Sequence, residues 1–279
     1  KIDEILNNPN IPESLSTTLI KANNMLQSGV TDINEARSIY HQAGCIFYKS
    51  CTLNDISIQP NLFYAIQFLR EASLLKNRDS MCMLSRIFAE SNDKECQKIA
   101  FKIATMLANL GCPEAEKELG EFYLNGIGTD KNVVISALYF KLAADKGDNE
   151  SKYLFAKTLI TNSIFIKLVP DQEQNEQRSN ELKLQIEKAQ QIVDQMKGNS
   201  NKIYKEFLLT KDAIFNPEIT KFVAKRYIEN AAREGVVKEN DELLNFVNID
   251  AKITADQNIP DFADDITQAS ISISIEDDY

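Results

Sequence analysis

Apolar side chains return along most of this chain at intervals of three and four residues, the spacing that lines one face of an α-helix. From Ser14 to Met25, Leu15, Leu19, Ile20, Ala22 and Met25 make such a stripe, and Gln27-Ser28-Gly29 stops it. Ala36, Ile39, Tyr40, Ala43 and Gly44 begin the next, which Ile46, Phe47 and Tyr48 extend to a polar connection around Asn54. Pro60 permits a fresh start for Phe63, Ala65, Ile66, Phe68, Leu69, Ala72 and Leu75. Met81, Met83, Leu84, Ile87 and Phe88 follow, then Ile99, Ile103, Ala104, Leu107 and Leu110. Each stripe covers about three or four turns, a length stabilised by packing on neighbours rather than in isolation. The pattern predicts an all-α chain of short antiparallel helices stacked on one another.

A longer period overlies the short one. After Gly111-Cys112-Pro113, Ala115, Leu119, Gly120 and Tyr123 mark one helix, and Gly126-Ile127-Gly128 makes a connection. Ala137, Tyr139, Phe140, Ala143 and Ala144 mark a second helix that closes at Lys146-Gly147, and Tyr153, Leu154, Ala156 and Leu159 start another. Gly126 and Gly128 suit positive φ, whereas Gly120, inside a periodic segment, suits close helix packing. Gly111 and Gly147 are 36 residues apart, as are Ala108 and Ala144. A helix pair recurring at that distance is the signature of a solenoid.

From Ala115 to Gly147 the chain resembles a Sel1-like repeat, a member of the tetratricopeptide-like class. The family's Ala, Leu-Gly and Tyr pattern falls on Ala115, Leu119-Gly120 and Tyr123, followed by Gly126-Ile127-Gly128. Its second-helix pattern falls on Ala137, Tyr139-Phe140, Ala143-Ala144 and Gly147. Phe68-Leu69, Ala72-Ser73 and Lys76 echo that second helix, as do Ile39-Tyr40 and Ala43-Gly44; Tyr227-Ile228, Ala231-Ala232 and Gly235 repeat it more faithfully. The resemblance thus extends over residues 30–160 and 203–247. It implies helix pairs stacked as a superhelix, and an adaptor, scaffold or chaperone-like assembly factor for membrane complexes, quality control or signalling.

Between Val169 and Ser200 the pattern changes: Pro170 precedes a Gln- and Glu-rich run, and Leu182, Leu184, Ile186, Ala189, Ile192, Val193 and Met196 leave only a sparse apolar stripe. We read Ser179 to Lys197 as a polar helix bridging solenoid halves, with a partner-helix contact as the alternative. Tyr204, Phe207, Leu208, Ala213, Ile214 and Phe215 suggest the array resuming; Pro217 resets it, Ile219, Phe222, Val223 and Tyr227 line a packing helix, and Leu243, Leu244, Phe246 and Val247 close it. The expected organisation is a solenoid portion at 1–168, a charged helical insertion at 169–200, a second solenoid portion at 201–250 and an acidic tail at 251–279. That tail holds seven acids against one lysine. It reads as flexible, or as a strand-like motif of Ile271, Ile273 and Ile275 seated in a groove.

Composition narrows the function. The 279 residues include 31 Lys and Arg against 41 Asp and Glu, a formal charge of -10 that disfavours nucleic acid and anionic lipid surfaces. No run approaches the roughly 20 apolar residues of a membrane span, although peripheral association with a membrane complex stays open. Five cysteines without CxxC spacing suit reduced structural thiols and a reducing compartment, and a single histidine, His41, removes histidine-rich zinc sites. Lys1-Ile2-Asp3-Glu4 has neither a signal-peptide core nor an arginine-rich presequence. Because the numbered chain starts without methionine, a removed presequence stays open, and we prefer the mitochondrial matrix to the cytoplasm.

No Gly-x-Ser-x-Gly elbow, Walker loop, HExxH helix or cysteine zinc spacing occurs. Asp256, Asp261, Asp264 and Asp265 miss the EF-hand spacing. Gly126-x-Gly128 lacks the full dinucleotide fingerprint. We therefore expect no catalytic, cofactor or metal residues; a His41–Cys45 nucleophile pair, four residues apart, is the remote alternative. The expected function is a non-catalytic protein-binding adaptor or assembly factor whose helix-lined groove takes a basic peptide, tail or helix. The alternative is a purely structural subunit, with oligomeric state open. Tyr123, Tyr139 and Tyr153 are the protein-binding probes.

Overall fold

The apolar stripes close into helices in the computed structural model of the chain, which describes residues 13–48, 51–53, 56–58, 60–163, 172–195, 200–237 and 243. The chain divides into two compact units, Lys1–Leu107 and Ala108–Tyr279. Among the described residues, four helices start on an asparagine whose side-chain oxygen accepts from the first free amides: Asn61 from Tyr64, Asn77 from Ser80, Asn132 from Val134 and Ile135, and Asn216 from Ile219. Such a cap is worth about 1 kcal/mol.

In the first unit, α1 (Glu13–Ser28), α2 (Ile33–Tyr48), α3 (Leu62–Leu74), α4 (Arg78–Ala89) and most of α5 (Lys94–Asn109) follow one another. Leu15 and Leu19 of α1, Ile39, Tyr40 and Phe47 of α2, and Phe68 and Ala72 of α3 form one core, in which the Phe47 and Phe68 rings stack 6.0 Å apart. Leu69, Leu84 and Ile87 carry a second cluster on to Ile103 of α5. The polar connection around Asn54 carries a short strand pair. Cys51–Leu53 and Ile56–Ile58 pair as antiparallel strands β1 and β2, Cys51 opposite Ile58 and Leu53 opposite Ile56. Thr52, Ile56 and Ile58 are β-branched, which favours the extended backbone.

The second unit holds α6 (Pro113–Asn125), α7 (Val133–Asp145), α8 (Asn149–Ser163), α9 (Gln172–Gln195), α10 (Ser200–Phe215) and α11 (Pro217–Arg233). Every residue from Val134 to Ala144 is buried, because α7 is apolar around its whole circumference and has α6, α8, α9 and α10 packed against it. The partner of α8 is α11, reached across 53 intervening residues: Phe155 meets Tyr227 edge to face with centroids 4.7 Å apart. Helix α9 begins at Gln172, seven residues before the expected Ser179, since the Gln- and Glu-rich lead consists of good helix formers. Of the expected closing segment only Leu243 is described, and residues 251–279, with Ile271, Ile273 and Ile275, lie outside the described residues.

The repeat is visible in its stops. Lys76, Gly111, Gly147 and Gly235 follow α3, α5, α7 and α11, each with a left-handed backbone, at φ 64°, 80°, 100° and 74°. The first three lie 35 and 36 residues apart, and Gly235 comes 88 residues after Gly147, a full period plus the α9–α10 insertion. Lys76 takes this conformation with a side chain, at a cost of about 1–2 kcal/mol. Lys76→Gly is therefore expected to stabilise the chain by about 0.5–1 kcal/mol after the entropy lost by glycine on folding. Urea denaturation checks it: an unchanged or lowered midpoint refutes the strain.

Candidate functional site

The surface available to a partner is what helix pairing leaves over. At the middle of α2, α4, α6 and α8 stands a small buried residue: Gly44, Ser85, Gly120 and Ala156. A Cβ on Gly44 would lie 2.6 Å from Leu69 Cγ, and one on Gly120 would lie 2.5 Å from two ring carbons of Phe140. Ser85 fills the same place with a hydroxyl that donates to the Ala100 carbonyl at 3.2 Å. Gly44 therefore belongs to a first helix of a pair, with α3 as its second, rather than to the second-helix echo that its sequence suggests.

The repeat residues are spent on this packing. Ala115, Leu119, Gly120, Ala137, Phe140, Ala143 and Ala144 are buried between α6 and α7, and Tyr227 and Ala231 are buried on α11, with Ala232 half-buried beside them. Gly126 and Gly128, at φ 77° and 68°, turn the chain from α6 toward α7. Tyr123 and Tyr139 are 6% and 5% exposed and stack on each other with centroids 5.8 Å apart. Burial raises both phenols, that of Tyr123 to about 12. Of the three tyrosine probes, Tyr153 reaches the surface, half-buried with the Lys157 ammonium 5.6 Å from its ring centroid.

The second unit also buries a cation. Lys141, within the apolar α7, ion-pairs with Asp145 at 2.8 Å and with Glu206 of α10 at 2.5 Å. Tyr227 donates to the other oxygen of Asp145 at 2.8 Å. Burial pulls the Lys141 ammonium down, but the two carboxylates together outweigh it and its pKa is raised. Nearby, Lys146 reaches Glu116 at 2.6 Å and the Gly111 carbonyl at 3.2 Å, tying the stop after α7 to the preceding one. Burial pushes Glu116 above the usual carboxylate range, and Lys146 only partly offsets this.

The raised Glu116 sets a pH dependence. A carboxyl that binds its proton more tightly when folded favours the fold most in acid; its contribution falls as the pH rises past the usual glutamate value and levels off above the raised one. Glu116→Gln is expected to flatten this limb, measured as urea midpoints between about pH 4 and 7. An undiminished slope in the variant refutes the assignment.

Helix α9 sits against the start of α7. The Gln185 side-chain oxygen accepts from the Val133 amide at 2.9 Å, and Asn132 donates to the Gln185 carbonyl at 2.8 Å, while Leu182, Ala189 and Val193 are buried beneath. Beside this contact a cleft of about 380 Å³ opens between Val133, Thr161 and Asn162 on one side and Arg178, Glu181 and Leu182 on the other. Arg178 and Glu181 are exposed, so its rim offers one charge of each sign and its floor an apolar side chain.

In the first unit the structure brings together the histidine and cysteine noted in the sequence. His41 Nε2 lies 3.6 Å from Cys45 Sγ, and His41 Nδ1 lies 2.8 Å from Ser80 Oγ. Cys45 Sγ is also 3.5 Å from Met83 Sδ. Ser80 and Met83 come from α4, nearly forty residues away, and nothing in the local pattern of α2 announces them.

No family model matches the chain, and no curated protein does. Among solved structures it is similar to c5321, a protective antigen present in uropathogenic Escherichia coli strains displaying an SLR fold, at 14% identity and a TM-score of 0.47. That likeness covers 93% of this chain and 48% of the antigen, so the chain spans about half of its length. A Sel1 repeat protein from Oxalobacter formigenes is similar at 15% identity and a TM-score of 0.39, over 92% of this chain and 94% of that one. Both neighbours are Sel1 repeat proteins. Stacked helix pairs follow within each unit from the small buried residues and the left-handed stops themselves.

Proposed function

We propose that the chain is a non-catalytic protein-binding scaffold, an adaptor or assembly factor that takes a basic segment with apolar anchors. The single observation behind this reading is that its repeat glycines, alanines and aromatics are consumed in aligning helix pairs, while large apolar side chains stay outside on the first unit. Phe63 is 72% exposed, Leu74 65%, Ile33 57% and Leu62 53%. Such side chains supply anchors for lasting contact. Charge supplies the attraction: seven acids against one lysine place six of the ten net negative charges in residues 251–279, so the acidic end steers a basic partner. We place the protein in a reducing compartment, the mitochondrial matrix before the cytoplasm.

A purely structural subunit is the second reading. It is favoured by α7, whose surroundings are filled by the chain's own α9 and α10, which leaves the second unit little open groove.

Binding of an amphipathic Lys-rich peptide, followed by fluorescence anisotropy, separates the two. The scaffold reading expects saturable binding that weakens about tenfold or more in a chain ending at Asp250 and in a Leu62→Ser, Phe63→Ser chain. Equal binding of a charge-reversed peptide, or no dependence on either change, overturns it. Affinity capture of a stoichiometric complex unaffected by both changes supports the structural subunit.

A further inference from the structure

Two donors stand beside the Cys45 sulfur of α2. Cys45 Sγ stands 3.6 Å from His41 Nε2 and 3.5 Å from Met83 Sδ. Donors held about 2.0 Å (nitrogen) or about 2.3 Å (sulfur) from a shared ion, at angles between tetrahedral and trigonal, stand about 3.5–3.8 Å apart for a nitrogen and a sulfur and about 3.8–4.0 Å apart for two sulfurs. The His41–Cys45 edge falls in that range and the Cys45–Met83 edge is shorter by about 0.3 Å, so an ion seats after a small outward move of the flexible Met83 side chain. The spacing follows from the fold: His41 and Cys45 are four residues apart on α2, and α4 packs across them and carries Met83.

The histidine is also oriented for the task. Its Nδ1 meets Ser80 Oγ at 2.8 Å, and Ser80 is fully buried and fixed at the start of α4, where its amide donates to Asn77. With Nδ1–H donating to the hydroxyl, Nε2 is left with its lone pair facing Cys45, the outer-sphere arrangement that sets the tautomer of metal-binding imidazoles. His41, Cys45 and Met83 are each half-buried, so the cluster is sheltered yet reachable.

We propose that His41 Nε2, Cys45 Sγ and Met83 Sδ form a binding site for monovalent copper. A thioether and a thiolate with one imidazole are the soft donor set that selects Cu(I), whereas zinc prefers four thiolate, imidazole or carboxylate ligands in a tetrahedron. Binding exchanges the thiol proton for the metal: the Cys45 S–H bond breaks, a sulfur–copper bond forms, and one proton is released to solvent with copper remaining monovalent. The Met83 thioether sits beside the Cys45 sulfur and, as a ligand, becomes the third donor. The site lies in the first unit and stands independently of the scaffold reading.

The test is anaerobic competition of the full chain with a chromogenic Cu(I) chelator, supplying Cu(I) alone. The expected result is one Cu(I) per chain, retained when Cys51, Cys82, Cys96 and Cys112 are all replaced by serine. Cys45→Ser is expected to weaken binding more than about 100-fold, since losing a ligand exceeds the 10–100-fold cost of an outer-shell change, and Ser80→Ala falls within that latter range. The near-isosteric Met83→Leu keeps the test valid if Cys45→Ser perturbs folding, and should weaken binding at least about tenfold. X-ray absorption of the copper-loaded chain should show one nitrogen and two sulfur neighbours. Unchanged affinity in Met83→Leu, loss of copper in the four-serine chain, or a spectrum without a nitrogen neighbour would overturn the proposal.

Discussion

Gly120→Val is expected to lower the stability of the second unit by about 3 kcal/mol, the upper part of the range for overfilling a packed core. Glycine and valine are both poor helix formers, so intrinsic propensity offers no large offset. The cost lies in space: the position of a Cβ is already 2.5 Å from the Phe140 ring, and that ring is fully buried. Gly120→Ala sharpens the comparison, because propensity alone makes it favourable by about 1 kcal/mol whereas the Phe140 contact makes it unfavourable. Shrinking the obstacle supplies the control. In a Phe140→Leu background the penalty of Gly120→Val should fall by at least about 1 kcal/mol, a coupling read from a double-mutant cycle in urea. A full penalty in that background, or a neutral Gly120→Val, means that α6 and α7 do not meet as closely as described.

Lys141→Met should lower stability by about 2 kcal/mol at neutral pH, less than the roughly 3–5 kcal/mol of breaking a fully buried pair, because Lys141 is buried whereas Asp145 is exposed and Glu206 half-buried. Methionine matches the lysine stem in length, so lost packing contributes little and the charge contributes most. Asp145 and Glu206 would be left facing one another's field, with Tyr227 still donating to Asp145. In the parent chain the raised Lys141 pKa makes its contribution complete below the ordinary lysine value of about 10.4 and lost only as the pH climbs through the raised one. Thermal midpoints across pH check this limb; a Lys141→Met chain as stable as the parent at pH 7 rejects the ion-paired triad.

Much of the architecture is legible in residues whose role is local. Gly147 and Gly235 declare helix ends because a left-handed backbone suits glycine, and Leu119-Gly120 with Phe140 declares a close approach because small faces large. What escapes the sequence depends on distance or on an unusual residue in a familiar role. Lys76 performs a glycine's task, and Ser85 and Ala156 are the small buried residues of their helices without a glycine's signature. The pairing of α8 with α11 is hidden because each stripe alone is compatible with a sequential neighbour. Lys141 did leave a signal: a lone cation inside an eleven-residue buried run has to find an anion. The identity of that anion, and of the serine and methionine beside His41 and Cys45, is decided by helices from other parts of the chain.

The displaced partner of α8 also bears on how the second unit assembles. Helices α6 and α7 are joined by seven residues, α8 and α11 by 53, and the entropy of closing the longer connection is greater by roughly 2 kcal/mol if it is treated as flexible. Contacts that close long loops tend to form late. The α6–α7 hairpin is thus the natural nucleus, and during synthesis α8 emerges well before the helix that will cover it. Its Phe155 and Leu159 face must wait for Tyr227 and Ile228 to leave the ribosome, an interval in which a chaperone has something to hold.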